Sequence, residues 1–149
     1  MKVLVLNGPN LNLLGEREPE VYGNVTLPKL IAQVRSHAKR LGITIRASQT
    51  NHEGVLIDRI HAARKWMDAL VINPGALTHT SYALRDAIAA VNVRAIEVHL
   101  SDIHAREPWR RESRIADVCE AQISGKGVGS YLEALERLSK PSTPAGRSH

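Results

Sequence analysis

The chain has 149 residues, 43% hydrophobic and 23% charged, the size and balance of one soluble domain able to bury a real core. No apolar run approaches the ~18 residues that cross a bilayer, and the N-terminal VLVL runs too soon into NGPN to be a signal-peptide core; a membrane protein is excluded and a cytoplasmic location expected. The net charge of +5 admits nucleic-acid binding, but the Arg and Lys are scattered and Phe is absent, so platforms for stacking bases are scarce, and an anionic small molecule accounts for a cationic site equally well.

In chain order, Val3–Leu6 reads as a strand and Leu27–Leu41 as a helix with Leu30, Val34, Ala38 and Leu41 on one face. Gly42 stands where a helix C-cap glycine belongs. A second strand, Ile43–Ala47, is followed by a helix over Val55–Met67, a third strand, Ala69–Ile72, by a helix over Thr80–Val91. Arg94–Val98 is a fourth strand, Val118–Ile123 a weaker fifth, and Val128–Leu138 a last helix. Regular alternation predicts an α/β fold, a single-domain flavodoxin-like three-layer sandwich with a five-stranded parallel sheet and right-handed crossovers. The domain spans residues 1–140, and the Pro-, Ser- and Gly-rich residues 141–149 are expected to form a disordered tail. Cys119 can form no internal disulfide, and its apolar neighbours predict a buried, inert thiol.

Ligands of open parallel sheets bind beyond the carboxyl ends of the strands. There the first strand delivers Asn7-Gly8-Pro9-Asn10, the third Asn73-Pro74-Gly75 and then Thr78-His79-Thr80, and the fourth His99-Leu100-Ser101. That edge is the expected site. The segment Asn10–Asn24 is long for a strand-to-helix connection and carries Arg17, Tyr22 and two glycines, the composition of a lid. Glu97, His99 and Ser101 alternate, so their side chains share a face, and a carboxylate beside an imidazole fixes its ring and raises its basicity. Thr80 or Ser81 is expected to cap a helix, with His79 beside it. No P-loop, GxGxxG, metal set or Ser-His-Asp spacing occurs. The residues by themselves indicate acid–base chemistry and leave the substrate open.

NGPNLNLLGEREPEVYG (residues 7–23), NPGALTHTS (73–81) and EVHLSDIHAREPWRRES (97–113) resemble the three signature blocks of type II 3-dehydroquinate dehydratases. QTNHEG (49–54) and SGKGVGSY (124–131) are also similar to that family. The resemblance implies a lyase of the shikimate pathway that removes water from 3-dehydroquinate without a cofactor or metal, working as a homo-dodecamer, a tetramer of trimers. It implies that Tyr22 is the base, that Arg17 is the lid arginine with Arg106 in support, and that His99 is the acid, with Glu97 beside it. It further implies that Asn10 helps stabilise an enolate, that Leu100 and Ser101 hold the substrate carboxylate, and that Asn73, His79 and Arg110 hold the rest. Asp86 matches a position reaching the site from a neighbouring subunit. A phenol is mostly protonated at neutral pH, and nearby cations favour its anion. A lysine imine, the other known route, has no supporting pattern; only Lys126 lies near a strand's carboxyl end. The sequence departs from the pattern at Asp102, Trp109 and Arg111, and Asp102 is expected to place a negative charge near the carboxylate pocket. The alternative reading is a flavodoxin-like nucleotide- or RNA-binding module.

Overall fold

The computed structural model describes residues 1–142; most of the expected tail lies outside them. Five strands, β1 (Lys2–Asn7), β2 (Thr44–Gln49), β3 (Ala69–Asn73), β4 (Arg94–Val98) and β5 (Ala121–Ile123), form one sheet in the order β2-β1-β3-β4-β5, every pairing parallel. The helices are α1 (Pro19–Tyr22), α2 (Leu27–Arg40), α3 (Glu53–Ala63), α4 (Tyr82–Val91) and α5 (Gly129–Leu138). This is the expected three-layer sandwich. Val3, Val5, Val71, Ile96 and Val98 face α2 and α5, while Leu4, Leu6, Leu70, Ile72 and Ala95 face α3 and α4. Alternation along β1 therefore supplies both cores, which is why that strand is apolar on both faces.

Local chemistry sets the boundaries. Thr26 caps α2, its Oγ1 accepting from Lys29 N at 3.4 Å. At the other end Gly42, at φ +72°, lets Ile43 N reach Ala38 O (2.8 Å) and Gly42 N reach Lys39 O (3.2 Å), a Schellman closure that starts β2 directly. Ser81, not Thr80, caps α4, accepting from Leu84 N at 3.0 Å, and residues Gly75–His79 form a 3-10 turn before it. Two expected elements are shorter than their sequence patterns. α3 ends at Ala63, and Trp66 and Met67 pack on the core from the turn that follows. The run expected as the fifth strand, Val118–Ile123, is a strand only over Ala121–Ile123, which pair with Ile96–Val98; Val118 ends a 3-10 turn over Ala116–Val118.

β1 and β3 lie side by side, and their exit turns touch. A Cβ on Gly8 would stand 2.6 Å from Pro74 O, and one on Gly75 2.9 Å from Pro9 O, so only glycines let the turns close up. Beneath them Tyr131 of α5, fully buried, donates to Asn7 Oδ1 (2.6 Å) and accepts from Asn73 Nδ2 (2.9 Å). One phenol thus ties the carboxyl ends of the two central strands together. Tyr131→Phe leaves both amides without that partner; it should cost about 1–3 kcal/mol. The check is a lower urea midpoint at unchanged slope, measured at one protein concentration.

Candidate active site

A cavity opens at the carboxyl ends of β1, β3 and β4, and Asn10, Asn73, His79, His99, Leu100 and Ser101 line it. The lid adds Arg17 and Tyr22, and the loop after β4 adds Arg106 and Arg110. The sheet edge singled out from sequence is therefore where these side chains converge. Glu97 stands beneath them, and Asp86 does not join them: it lies exposed on α4, paired with Arg85 at 3.1 Å.

Glu97 Oε2 accepts from His99 Nε2 at 2.5 Å, Thr78 Oγ1 at 2.6 Å and Gln122 Nε2 at 3.1 Å, while Oε1 accepts from Ser113 Oγ at 2.7 Å. Burial pushes this carboxyl up, but the bonds from His99, Thr78 and Ser113 outweigh it and hold Glu97 below the usual carboxylate range. A carboxylate only accepts, so the Glu97-facing Nε2 carries hydrogen and His99 Nδ1 is left for the cavity. The alternation of Glu97, His99 and Ser101 foreshadowed this pair. Thr78, Ser113 and Gln122 were missed as its partners, because they come from three other segments of the chain.

His79 is positioned differently. Its Nδ1 meets Glu112 O at 2.6 Å, and its ring meets Trp109 edge-on at 5.2 Å between centroids. A carbonyl accepts, so Nδ1 is the donor. Burial lowers the His79 pKa, the ring is neutral at pH 7, and Nε2 becomes an acceptor. Leu100 and Ser101 present backbone. Their carbonyls accept from Gly127 N (3.0 Å) and Gly125 N (3.1 Å). The trans peptide turns Ser101 N–H the opposite way from Leu100 C=O, and neither the Leu100 nor the Ser101 N–H donates to a group among the described residues. Two free amides suit a carboxylate.

The lid end of the cavity is cationic. Arg17 Nη2 and Arg106 Nη1 donate to the Tyr22 hydroxyl at 3.0 and 2.8 Å, with both guanidiniums within 5.2 Å of the ring centre. Two cations on one phenolic oxygen stabilise negative charge there. The lid is more ordered than an open loop: α1 sits within it, entered through Glu18 at φ +33° and left through Gly23 at φ +77°. Asn10, at φ +70°, is fixed by its N–H on Asn51 Oδ1 at 3.0 Å.

The expected effect of Asp102 is revised. Its Oδ1 accepts from His104 N at 3.0 Å, capping the turn Ile103–Ala105, and its side chain is not among those lining the cavity. No lysine lines it either, and Lys126 is paired with Glu133 at 2.7 Å. Cys119 is buried, as expected, and burial pushes its thiol far up. Among the described residues no group of three or more His, Cys, Asp or Glu could hold a metal, and no helix is long and apolar enough to cross a membrane.

The family description Dehydroquinase class II matches residues 1–139. The chain belongs to the class II dehydroquinase family. This dehydroquinase is 52% identical over 147 residues to the 3-dehydroquinate dehydratase of Thermotoga neapolitana, covering 99% of this chain and 100% of that one. It is 53% identical over 136 residues to a catabolic 3-dehydroquinase of Aspergillus clavatus, covering 91% of each. Among solved structures, the type II dehydroquinase from Butyrivibrio crossotus superposes with a TM-score of 0.92 at 45% identity, over 94% of this chain and 98% of that one.

Because Glu97 is held below its unfolded value, the unfolded chain binds the extra proton first as pH falls. The Glu97 contribution is complete above the unfolded carboxyl value of about 4.3 and is lost as pH drops through the lower folded value. Glu97→Gln, less stable at neutral pH, should therefore lose less further stability than the unaltered chain below about pH 4.3. Parallel acid-unfolding curves would contradict this.

Proposed function

We propose that this dehydroquinase eliminates water from 3-dehydroquinate to give 3-dehydroshikimate through an enolate. The activity is that of a 3-dehydroquinate dehydratase, a hydro-lyase. The observation carrying the mechanism is the opposition of two groups in one cavity: a phenolic oxygen under two guanidiniums, and an imidazole backed by a buried carboxylate.

The substrate carboxylate rests on the Leu100 and Ser101 amides and the Ser101 hydroxyl. Its hydroxyls meet His79 Nε2 as acceptor and Arg110 as donor, with Asn73 on the cavity floor. Tyr22, as phenolate, takes a proton from the carbon beside the ketone, and the C–H electron pair moves into the enolate. Polar groups aimed at that oxygen, Asn10 foremost, lower the barrier. The enolate then re-forms the ketone as the C–O bond to the leaving hydroxyl breaks, and that oxygen takes a proton from His99 and departs as water. The product is a conjugated enone. Tyr22 ends with the proton that His99 must regain, and solvent exchange on lid opening resets both. Lid closure over Arg17 excludes water and strengthens each of these electrostatic contacts. Asp86, exposed on α4, is available to a neighbouring subunit, consistent with a dodecamer built as a tetramer of trimers. No cofactor takes part, and the reaction belongs to the shikimate pathway.

Purified protein mixed with 3-dehydroquinate should develop the ultraviolet absorbance of the enone without added metal or nucleotide. Folded protein that gives no such signal would refute the assignment. Tyr22→Phe should abolish turnover with the fold intact, and His99→Ala should cost ~10²–10⁴-fold, the usual span for a general acid. Asp102→Asn keeps a side-chain oxygen for the cap and should leave KM unchanged or lower; a clear rise would contradict the placement of that carboxylate outside the cavity.

A further inference from the structure

Two arginines enter the cavity from the long connection between β4 and β5, and both are largely withdrawn from water, their side chains only 15% (Arg106) and 19% (Arg110) exposed. Each points its guanidinium tip towards the reaction, and the carboxylate of Glu107 lies behind both. Glu107 Oε2 accepts from Arg110 Nε at 2.6 Å and stands 4.0 Å from Arg106 Nε, the outer limit of an ion pair. Glu107 does not itself line the cavity.

The Arg110 guanidinium is held on two sides. Trp109 covers one face, with the guanidinium carbon 4.1 Å from a ring centre, and Glu107 takes the Nε edge. Neither Nη donates to any group among the described residues, so the free edge of the fork is the one turned away from Glu107. Arg106 puts Nη1 on the Tyr22 hydroxyl at 2.8 Å and lies between two carboxylates, its Nη2 3.6 Å from Glu18 of the lid and its Nε 4.0 Å from Glu107. The backbone keeps Glu107 in place, since Pro108 follows it, its own ψ is the extended 147° that a following proline favours, and its carbonyl accepts from Arg110 N at 2.9 Å. Its own backbone N–H, then Arg110 and Arg106, hold the carboxyl below the usual range, so it is ionised at neutral pH.

From this geometry we infer that Glu107 is a positioning residue for the dehydration, the carboxylate shared by both arginines, which aims Arg110 at the substrate and, together with Glu18, Arg106 at Tyr22. The inference rests on the proposed function for the identity of the reaction. An exposed ion pair contributes little to stability. Its consequence is kinetic, because a misplacement of about 1 Å in a positioning group can cost on the order of 10²-fold in rate. Acting on Arg110, Glu107 affects substrate binding; acting on Arg106, it affects the base.

The test is steady-state kinetics of the full chain on 3-dehydroquinate for Glu107→Ala, Glu107→Gln and Arg110→Ala, and for Glu107→Ala combined with Arg110→Ala. Turnover by the unaltered protein tests the assigned reaction, and the variants are read as ratios to it, so the two ideas fail separately. Glu107→Ala should lower kcat/KM by about 10- to 10²-fold, through both a raised KM and a lowered kcat, without moving the thermal midpoint appreciably. Glu107→Gln, whose amide oxygen still accepts from Arg110 Nε, should fall in between. In the Arg110→Ala background the KM effect of Glu107→Ala should vanish, leaving only the kcat effect through Arg106. A Glu107→Ala enzyme within about twofold of the unaltered one, or the same KM penalty in both backgrounds, overturns the proposal. Should the alanine variant not fold, Glu107→Gln decides, and its parity with the unaltered enzyme in kcat and KM overturns the proposal as surely.

Discussion

Taking an ionised carboxylate out of water costs several kcal/mol unless other donors replace the solvent. Glu97 is fully buried at the carboxyl end of β4 and remains low in pKa because four groups donate to it. Those donors arrive from four places: the turn after β3, the exit of β4, the loop ending at Ser113 and strand β5. Satisfying one charge therefore fixes the relative positions of nearly every segment that walls the acid side of the cavity. Residues on either side of Ser113 join the same docking, Arg114 N donating to Thr78 O (2.6 Å) and His79 Nδ1 to Glu112 O (2.6 Å). The orientation of His79 towards the cavity is in this sense tied to where Glu97 is buried.

The base side is built on the opposite plan. Tyr22 stands on a four-residue helix in a segment without strand pairing, and its hydroxyl is held by Arg17 from the lid and Arg106 from the body of the protein. The entry residue, Glu18, has a left-handed backbone that a non-glycine residue holds at a cost of order 1–3 kcal/mol. Contacts across the lid must offset that cost, and Arg106 makes two of them: the bond to Tyr22 and an ion pair with Glu18 at 3.6 Å. In the proposed mechanism, a fixed acid and a base carried by the lid suit an elimination that needs water excluded at one moment and admitted at the next.

The sheet and the half of the site that rides on it were legible because both are periodic. Alternation along Glu97, His99 and Ser101 put three side chains on one face, and the strand exits pointed to the edge at which they meet. Tyr22 carried no such periodic signal and was named only through the resemblance of its block to a family. The bonds that Thr78, Ser113, Gln122 and Tyr131 make carried no signal in the sequence, because their partners stand 16 to 124 positions away. The shortened β5 has the same origin. Val118–Glu120 were expected to belong to the strand, but ladder pairing with β4 covers only Ala121–Ile123, and tertiary geometry overrides propensity.

The cavity also has an unfinished charge balance. Of its three arginines, Arg106 and Arg110 have carboxylate partners at half-exposed glutamates, while Arg17 donates only to Tyr22 and forms no ion pair among the described residues. With the two Leu100 and Ser101 amides also lacking acceptors among the described residues, the protein side of the cavity is short of negative charge and of lone pairs. An anionic, oxygen-rich ligand supplies both, and in the proposed mechanism Tyr22 as phenolate supplies the charge that Arg17 lacks. The net charge of +5, uninformative when spread along the sequence, thus gains a meaning from location: the cations that matter are those gathered where substrate and phenolate complete them.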